Sequence, residues 1–153
     1  MSSSAQLKIT AELAGQIRGH GAETYPYECC GALLGRDMEV ADRRVYREIH
    51  GLHPLVNRRD DSPQNRFSVT SKDVLEAEKA ARDRGLEVVG WYHSHPDHPA
   101  RPSQYDRDHA WPWYSYIIVS VANKIPEDMT SWRLSDDRAD FECEEIELQR
   151  AAS

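Results

Sequence analysis

Residues 91–106, WYHSHPDHPARPSQYD, concentrate side chains that can bind a metal: three histidines and two aspartates. They follow LEVVG, an apolar run that predicts a buried strand ending at this point. His93 and His95 are two residues apart, and side chains alternate between the faces of a strand. We therefore expect both imidazoles on one side and Ser94 on the other. Two adjacent imidazoles can begin a zinc site, which needs a third protein ligand and, for catalysis, an open position for water.

The third ligand is not decided by this chemistry alone. Four side chains could supply it: Asp97, His98, Asp106 and His109. Asp97 and His98 come directly after Pro96, so a tight turn would have to fold back to the metal. Asp106 lies beyond HPARPSQY, which is long enough for a loop to return it to the histidines. Ser103 and Asp106 share one face of a helical turn, but a serine followed by an acid three residues later is equally typical of a helix cap.

Helices and strands alternate along the chain. TAELAGQIRGHGA and KDVLEAEKAARDR predict helices, the first capped by Thr10 and the second by Thr70 or Ser71 and ended by Gly85. CGALLGR predicts a strand that pairs with EVADRRVYREI through a turn at residues 36–38, and a short helical turn is expected from Ser103 onward. Further strands are expected at FSVT, LEVVGWYHS, YSYIIVSV, SWRLS and DFECEEIEL. This order predicts an α+β fold, a mixed α/β sandwich.

Length and charge narrow the class of protein. The 153 residues predict a single domain over residues 1–153. A net charge of −7, from 26 acidic and 19 basic residues, disfavours a nucleic-acid partner. No apolar run approaches the roughly 20 residues that cross a bilayer, and the N-terminal residues lack a signal-peptide pattern. We therefore expect a cytoplasmic protein without a membrane partner.

The motif residues also match a known family as a set. HSHPDHPARPSQYD reads His-Ser-His, seven residues, Ser, two residues, Asp, and this spacing resembles the signature of JAMM/MPN+ zinc metallopeptidases. YPYECCGALLG is similar to the family's N-terminal segment, in which a glutamate precedes a Cys-Gly pair and a short strand. YSYIIVSV is similar to the strand after its zinc loop. The stand-alone bacterial members are the most similar, and the resemblance implies a curved mixed sheet flanked by helices.

The resemblance implies a role for each motif position. His93, His95 and Asp106 would bind one Zn²⁺ whose fourth ligand is water. Glu28 would be the general base, since it falls on the family's catalytic glutamate, and Ser103 would donate a hydrogen bond to the oxyanion. Without the resemblance, Glu28 is one carboxylate among many.

The resemblance also implies a partner: a ubiquitin-like or sulfur-carrier protein whose Gly-Gly tail is cleaved at its end. The tail could add as a strand beside an exposed sheet edge. Two alternatives stay open, a non-catalytic MPN scaffold and a hydrolase of an unrelated small peptide conjugate. A homodimer is allowed by the sequence but not required by it.

Overall fold

A computed structural model describes residues 6–56 and 69–150 of the chain. Within those ranges the protein has seven strands and three helices. They are β1 (Gln6–Thr10), α1 (Ala11–Thr24), β2 (Cys30–Val40), β3 (Arg43–Pro54), α2 (Ser71–Asp83), β4 (Glu87–Pro96), α3 (Gln104–His109), β5 (Ser115–Ala122), β6 (Ile125–Leu134) and β7 (Phe141–Gln149). None of these helices combines the length and the apolar character needed to cross a membrane.

The strands form one mixed sheet that closes on itself. Their spatial order is β1-β3-β2-β4-β5-β6-β7, and β7 returns to pair with β1. Three pairs are parallel, β1 with β3, β1 with β7, and β4 with β5, and the others are antiparallel. The predicted α+β class is confirmed, but the sheet is a closed barrel rather than one layer of a sandwich. Closure pairs strands far apart along the chain, which local patterns do not reveal.

The two longer helices pack against opposite faces of this sheet. In β2, Leu33 belongs to a buried cluster with Ile17 of α1, whereas Leu34 belongs to a second cluster with Ala77 of α2. Successive side chains of a strand point to opposite faces, so each helix covers one of them. The α2 face is the one that bears on the candidate site.

Most predicted boundaries of the helices agree with the structure. Thr10 caps α1 by accepting from Leu13 N, and Thr70 rather than Ser71 caps α2, in a reciprocal capping box with Asp73. Gly85 follows the end of α2 with a φ of 70°, a left-handed conformation that glycine adopts without strain.

The predicted β2–β3 turn at residues 36–38 is wrong. The strands continue to Val40 and resume at Arg43, and Ala41 and Asp42 make the turn with φ values of 53° and 65°. Of FSVT, Phe67 and Ser68 lie outside the described residues and the remaining two residues are not in a strand. The strand β1 was not predicted from the sequence.

Candidate metal centre

His93 and His95 lie near the end of β4, side by side on one face. The ring centroids are 4.9 Å apart. Cys30, directly opposite His93 on β2, belongs to the α2 core cluster, so the histidines share the α2 face of the sheet. Ser94 points to the other face, where its buried Oγ accepts a hydrogen bond from Cys29 N at 2.8 Å. The strand alternation predicted for this motif is therefore present.

Asp106 completes a compact triangle with the two imidazoles. His93 Nε2 lies 3.1 Å from His95 Nε2 and 3.2 Å from Asp106 Oδ1, and His95 Nε2 lies 3.1 Å from Asp106 Oδ2. Ligand atoms placed tetrahedrally 2.0–2.1 Å from a zinc ion are about 3.3 Å apart. The triangle is therefore close to the size that a metal requires, before any adjustment of rotamers.

The hydrogen bond made by His95 Nδ1 determines which ring nitrogen is free to bind a metal. Nδ1 lies 2.9 Å from the carbonyl oxygen of Pro99. A carbonyl only accepts hydrogen bonds, so Nδ1 carries the proton and the neutral ring presents the lone pair of Nε2 to the triangle. A hydrogen bond of this kind is the usual support of a metal-binding histidine.

Asp106 is held in place by the helix that carries it. Ser103 is the N-cap of α3, and its Oγ accepts from Asp106 N at 3.1 Å. In return, Ser103 N donates to Asp106 Oδ2 at 2.9 Å. The cap expected from the sequence thus forms, and the same box aims the carboxylate at the histidines. The helix cap formed by Ser103 and Asp106 is therefore compatible with metal binding by Asp106.

The remaining ligand candidates stay out of the triangle. Asp97 has a left-handed φ of 59° and accepts a hydrogen bond from Tyr25 Oη at 2.6 Å. His98 is exposed, and His109 stacks on Tyr105 with 4.0 Å between ring centroids. Among the described residues, the one cluster of acidic, histidine or cysteine side chains spaced to hold a metal is His93, His95 and Asp106.

The charges of the triangle reinforce one another. Burial favours the neutral form of His93, but the carboxylates of Asp106 and Glu28 outweigh burial and raise its pKa. For Asp106, burial favours the neutral acid, but His93, His95 and the Ser103 backbone hold the pKa of the carboxyl well below its usual range. The aspartate is therefore ionised, the state that a metal ligand needs.

Glu28 and two members of the triangle border one trough of about 670 Å³. Glu28 lies just before β2, half-buried, and His93 and Asp106 line the same space. Aromatic side chains from β4, α3, the α3–β5 segment, β5 and β7 form part of its wall. They are Trp91, Tyr105, Trp111, Tyr114, Tyr116 and Phe141. Of the predicted site residues, the buried His95 and the exposed Ser103 do not line the trough.

A comparison with known families matches most of this chain to one family. The family described as prokaryotic homologs of the JAB domain matches residues 10–135, a span that holds Glu28, both histidines, Ser103 and Asp106. The chain belongs to the prokaryotic JAB domain family. The resemblance to JAMM/MPN+ proteins seen in the sequence is thereby confirmed for the family.

Relatives of this JAB domain carry functional names. A desampylase of Haloferax volcanii is 31% identical over 127 residues, which cover 80% of this chain and 86% of the relative. A probable TtuB-protein conjugate cleaving protease of Thermus thermophilus is 31% identical, with 75% of this chain and 70% of the relative covered. A solved structure from Salinibacter ruber is 43% identical, with a TM-score of 0.72 and coverage of 93% of this chain and 91% of that chain.

Sequence reasoning missed two contributors to this JAB-domain site. One is the Pro99 carbonyl, which left no signal because a backbone group is not encoded by residue type. The other is the aromatic wall. Tyr114, directly before β5, and Tyr116, the second residue of β5, alternate with Ser115, and this was a usable signal that both side chains lie on one face.

Proposed function

We propose that the protein is a zinc-dependent peptidase or isopeptidase that hydrolyses the bond after the C-terminal Gly-Gly of a ubiquitin-like or sulfur-carrier protein. One observation carries the proposal: His93 and Asp106, two members of the triangle with His95, line a trough that Glu28 also lines. The names of the relatives, a desampylase and a conjugate-cleaving protease, support the substrate class.

The donor set fits zinc. Two imidazole nitrogens and one carboxylate oxygen are ligands that zinc accepts in catalytic sites with three protein ligands. Bound there, zinc would polarise the scissile carbonyl and lower the pKa of a water molecule towards neutrality. The side chains of His93, His95 and Asp106 would hold the ion. Two of them are already oriented, because the Pro99 carbonyl engages the other ring nitrogen of His95 and Ser103 N donates to the Asp106 carboxylate.

Glu28 is proposed as the general base. Its carboxylate is close enough to His93 to raise the pKa of that ring, and it lines the trough in which a scissile bond would lie. A carboxylate in that position can accept a proton from the attacking water and deliver it to the leaving amine.

Ser103 is proposed as an oxyanion donor. In the cap its Oγ accepts a hydrogen bond from Asp106 N, which leaves the hydroxyl hydrogen to be donated elsewhere. Such a donor stabilises the negative charge that develops on the carbonyl oxygen.

The tail would lie along the trough rather than join the sheet beside the histidines. At His93, β4 is already paired on both sides, with Cys30 of β2 and Ile118 of β5. The sequence suggested that the tail adds as a strand beside an exposed sheet edge, and β4 offers no such edge at the histidines. The trough above these strands offers an apolar channel for an extended tail.

The first experiment measures the metal content of purified protein and of Asp106→Ala. We expect about one zinc per chain in the parent protein and much less in the variant. Asp108→Ala is the matched control, because Asp108 lines the trough and sits on α3 but bonds to Gln104 instead. Absence of zinc from the parent protein after reconstitution contradicts the proposal and favours a non-catalytic scaffold.

A second experiment tests the substrate. The zinc-loaded protein is incubated with Gly-Gly-ended carriers extended by one residue or linked to a lysine, and products are followed by mass spectrometry. Cleavage after Gly-Gly is expected. Zinc binding without cleavage of any carrier rejects this substrate class and leaves another peptide conjugate as the substrate. The single domain over residues 1–153, the cytoplasmic location and the lack of nucleic-acid and membrane partners stay predictions.

A further inference from the structure

Two side chains of β6 form a hydrogen-bonded relay that ends in the loop after the histidines. Trp132 Nε1 donates to Thr130 Oγ1 at 2.8 Å, and Thr130 Oγ1 donates to the Ala100 carbonyl at 2.7 Å. An indole N–H only donates and a carbonyl only accepts, so the direction of the relay is fixed. The Thr130 hydroxyl therefore uses its one hydrogen on Ala100.

The anchored residue is next to the group that orients His95. The Pro99 carbonyl accepts from His95 Nδ1 at 2.9 Å, and Arg101 N also donates to it at 2.8 Å. Ala100, between them, is buried, with 6% of its surface exposed. A shift of the Ala100 peptide would move the Pro99 carbonyl away from the ring.

The other end of this loop is anchored as well. Asp97 N donates to the Val121 carbonyl at 2.7 Å, and the Asp97 carboxylate accepts from Tyr25 Oη at 2.6 Å. With Asp97 held on one side and Ala100 on the other, the Pro99 carbonyl has little freedom. Thr130 supplies the side-chain hydrogen bond that holds Ala100, the residue directly after Pro99.

We propose that Thr130 is a positioning residue for the metal centre, which acts by fixing the Pro99 carbonyl and so the ring orientation and tautomer of His95. This inference rests on the proposed function, because it assumes that His95 is a metal ligand. Loss of a hydrogen bond that orients a metal-bound histidine typically weakens metal affinity about 10- to 100-fold. Thr130 does not touch the metal, so its effect is indirect.

The test compares zinc affinities of apo-protein variants by competition with a chromophoric chelator. Thr130→Val keeps the branched shape and the strand preference of threonine but removes the hydroxyl. We expect it to weaken zinc binding about 10- to 100-fold, whereas Thr130→Ser, which restores the hydroxyl, binds close to the parent value. A cobalt-substituted sample should show an altered d–d spectrum in Thr130→Val alone.

A matched control separates positioning from general loss of stability. Ser131, the next residue of β6, donates from its buried Oγ to Glu144 Oε1 at 2.9 Å, away from the metal loop. Ser131→Ala should lower thermal stability and leave the zinc affinity unchanged. Equal affinities of Thr130→Val, Ser131→Ala and the parent protein overturn the inference.

If Thr130→Val does not fold, Trp132→Phe keeps the test decisive. It removes the indole N–H that directs the relay, and imidazole NMR of the apo-protein then reports the His95 tautomer. We expect weaker population of the Nδ1-protonated form, and an unchanged tautomer contradicts the inference. Failure of the parent protein to bind zinc would reject both the proposed function and this inference, whereas normal zinc binding by all variants would reject the inference alone.

Discussion

At the residue scale, two ligands of the candidate centre, His95 and Asp106, each have a second hydrogen-bond partner outside the triangle. His95 faces the triangle with Nε2 and the Pro99 carbonyl with Nδ1. Asp106 faces both imidazoles and also accepts from the Ser103 backbone. The second engagement fixes the direction of the first, so that the ligand geometry exists before a metal arrives. Such preorganisation reduces the entropy lost when the ligands are ordered.

Glu28→Gln separates the base from the metal site. The amide cannot accept and return a proton in the way a carboxylate does, so turnover should fall at least about a hundredfold. Zinc content should be unchanged, since Glu28 is outside the triangle. Both are measured on the same preparation, by a cleavage assay and by elemental analysis. Glu23→Gln, at an exposed position of α1, is the control. Near-full activity of Glu28→Gln would show that another group is the base.

Substitutions of Ser103 distinguish oxyanion stabilisation from capping. Removing the hydroxyl should lower turnover about a hundredfold or more, with zinc content little changed. Ser103→Ala should also cost about 1 kcal/mol of stability, whereas Ser103→Gly should cost only a few tenths, because glycine is tolerated at an N-cap. Turnover that follows stability in the two variants, rather than falling equally in both, would favour a purely structural role.

At the scale of elements, the helix that flanks the site is fixed by a local signal. Thr70 Oγ1 accepts from Asp73 N at 3.1 Å, and Asp73 Oδ2 accepts from Thr70 N at 2.9 Å. The buried Asp73 and Ala77 then face the sheet in successive turns. Val69, just before this cap, and Val74, in the first turns of α2, line the trough, so the cap also determines where one wall of the trough begins.

The α2 cap can be tested with neighbouring substitutions. Thr70→Ala should lower the free energy of unfolding by about 1 kcal/mol, because the N–H of Asp73 loses its acceptor. Ser71→Ala, one residue along at an exposed position, should change it by less than about 0.5 kcal/mol. Urea unfolding followed by circular dichroism gives both values. A larger loss from Ser71→Ala than from Thr70→Ala would show that Thr70 is not the residue that caps α2.

Elements with local signals were predictable from the sequence, and elements defined by distant partners were not. Thr10, Thr70 and Ser103 each indicated the start of a helix, because each cap involves a residue only three positions further along the chain. The β2–β3 turn was misplaced because Ala41 and Asp42, both with positive φ, are not a glycine-containing turn pair. In the candidate site, strand alternation predicted that the His93 and His95 side chains lie together. Asp106 and Glu28 were distinguished from the other acidic residues only by the family resemblance.

At the scale of the whole molecule, buried charge links the strands of the barrel. Arg47 of β3 is fully buried and pairs with Asp37 of β2 through Nε at 2.6 Å. Its Nη1 donates to the Val89 carbonyl of β4 and to Ser115 Oγ of β5. The same guanidinium lies 4.4 Å from the ring of Trp113. One side chain therefore connects four neighbouring strands, close to where the aromatic wall begins.

Loss of this cation should be far more costly than loss of a surface pair. Arg47→Met keeps most of the volume but leaves Asp37 without its bidentate partner, and we expect a loss of about 3–5 kcal/mol in the free energy of unfolding. Lys79→Met, which removes an exposed pair with Asp83, should cost less than about 1 kcal/mol. Denaturant titrations compare the two. Equal costs would mean that the buried pair contributes no more than a surface contact.

The parallel pairing of β1 with β7 has a consequence for how the chain reaches its native state. Gln6 lies beside Glu145, and Thr10 lies beside Gln149. Contacts between residues so far apart along a chain form slowly, because a large loop must close first. During synthesis, β1 leaves the ribosome before β7, so its backbone edge on that side stays unpaired until β7 arrives. Until then the N–H and C=O groups of that edge can pair with strands of other nascent chains.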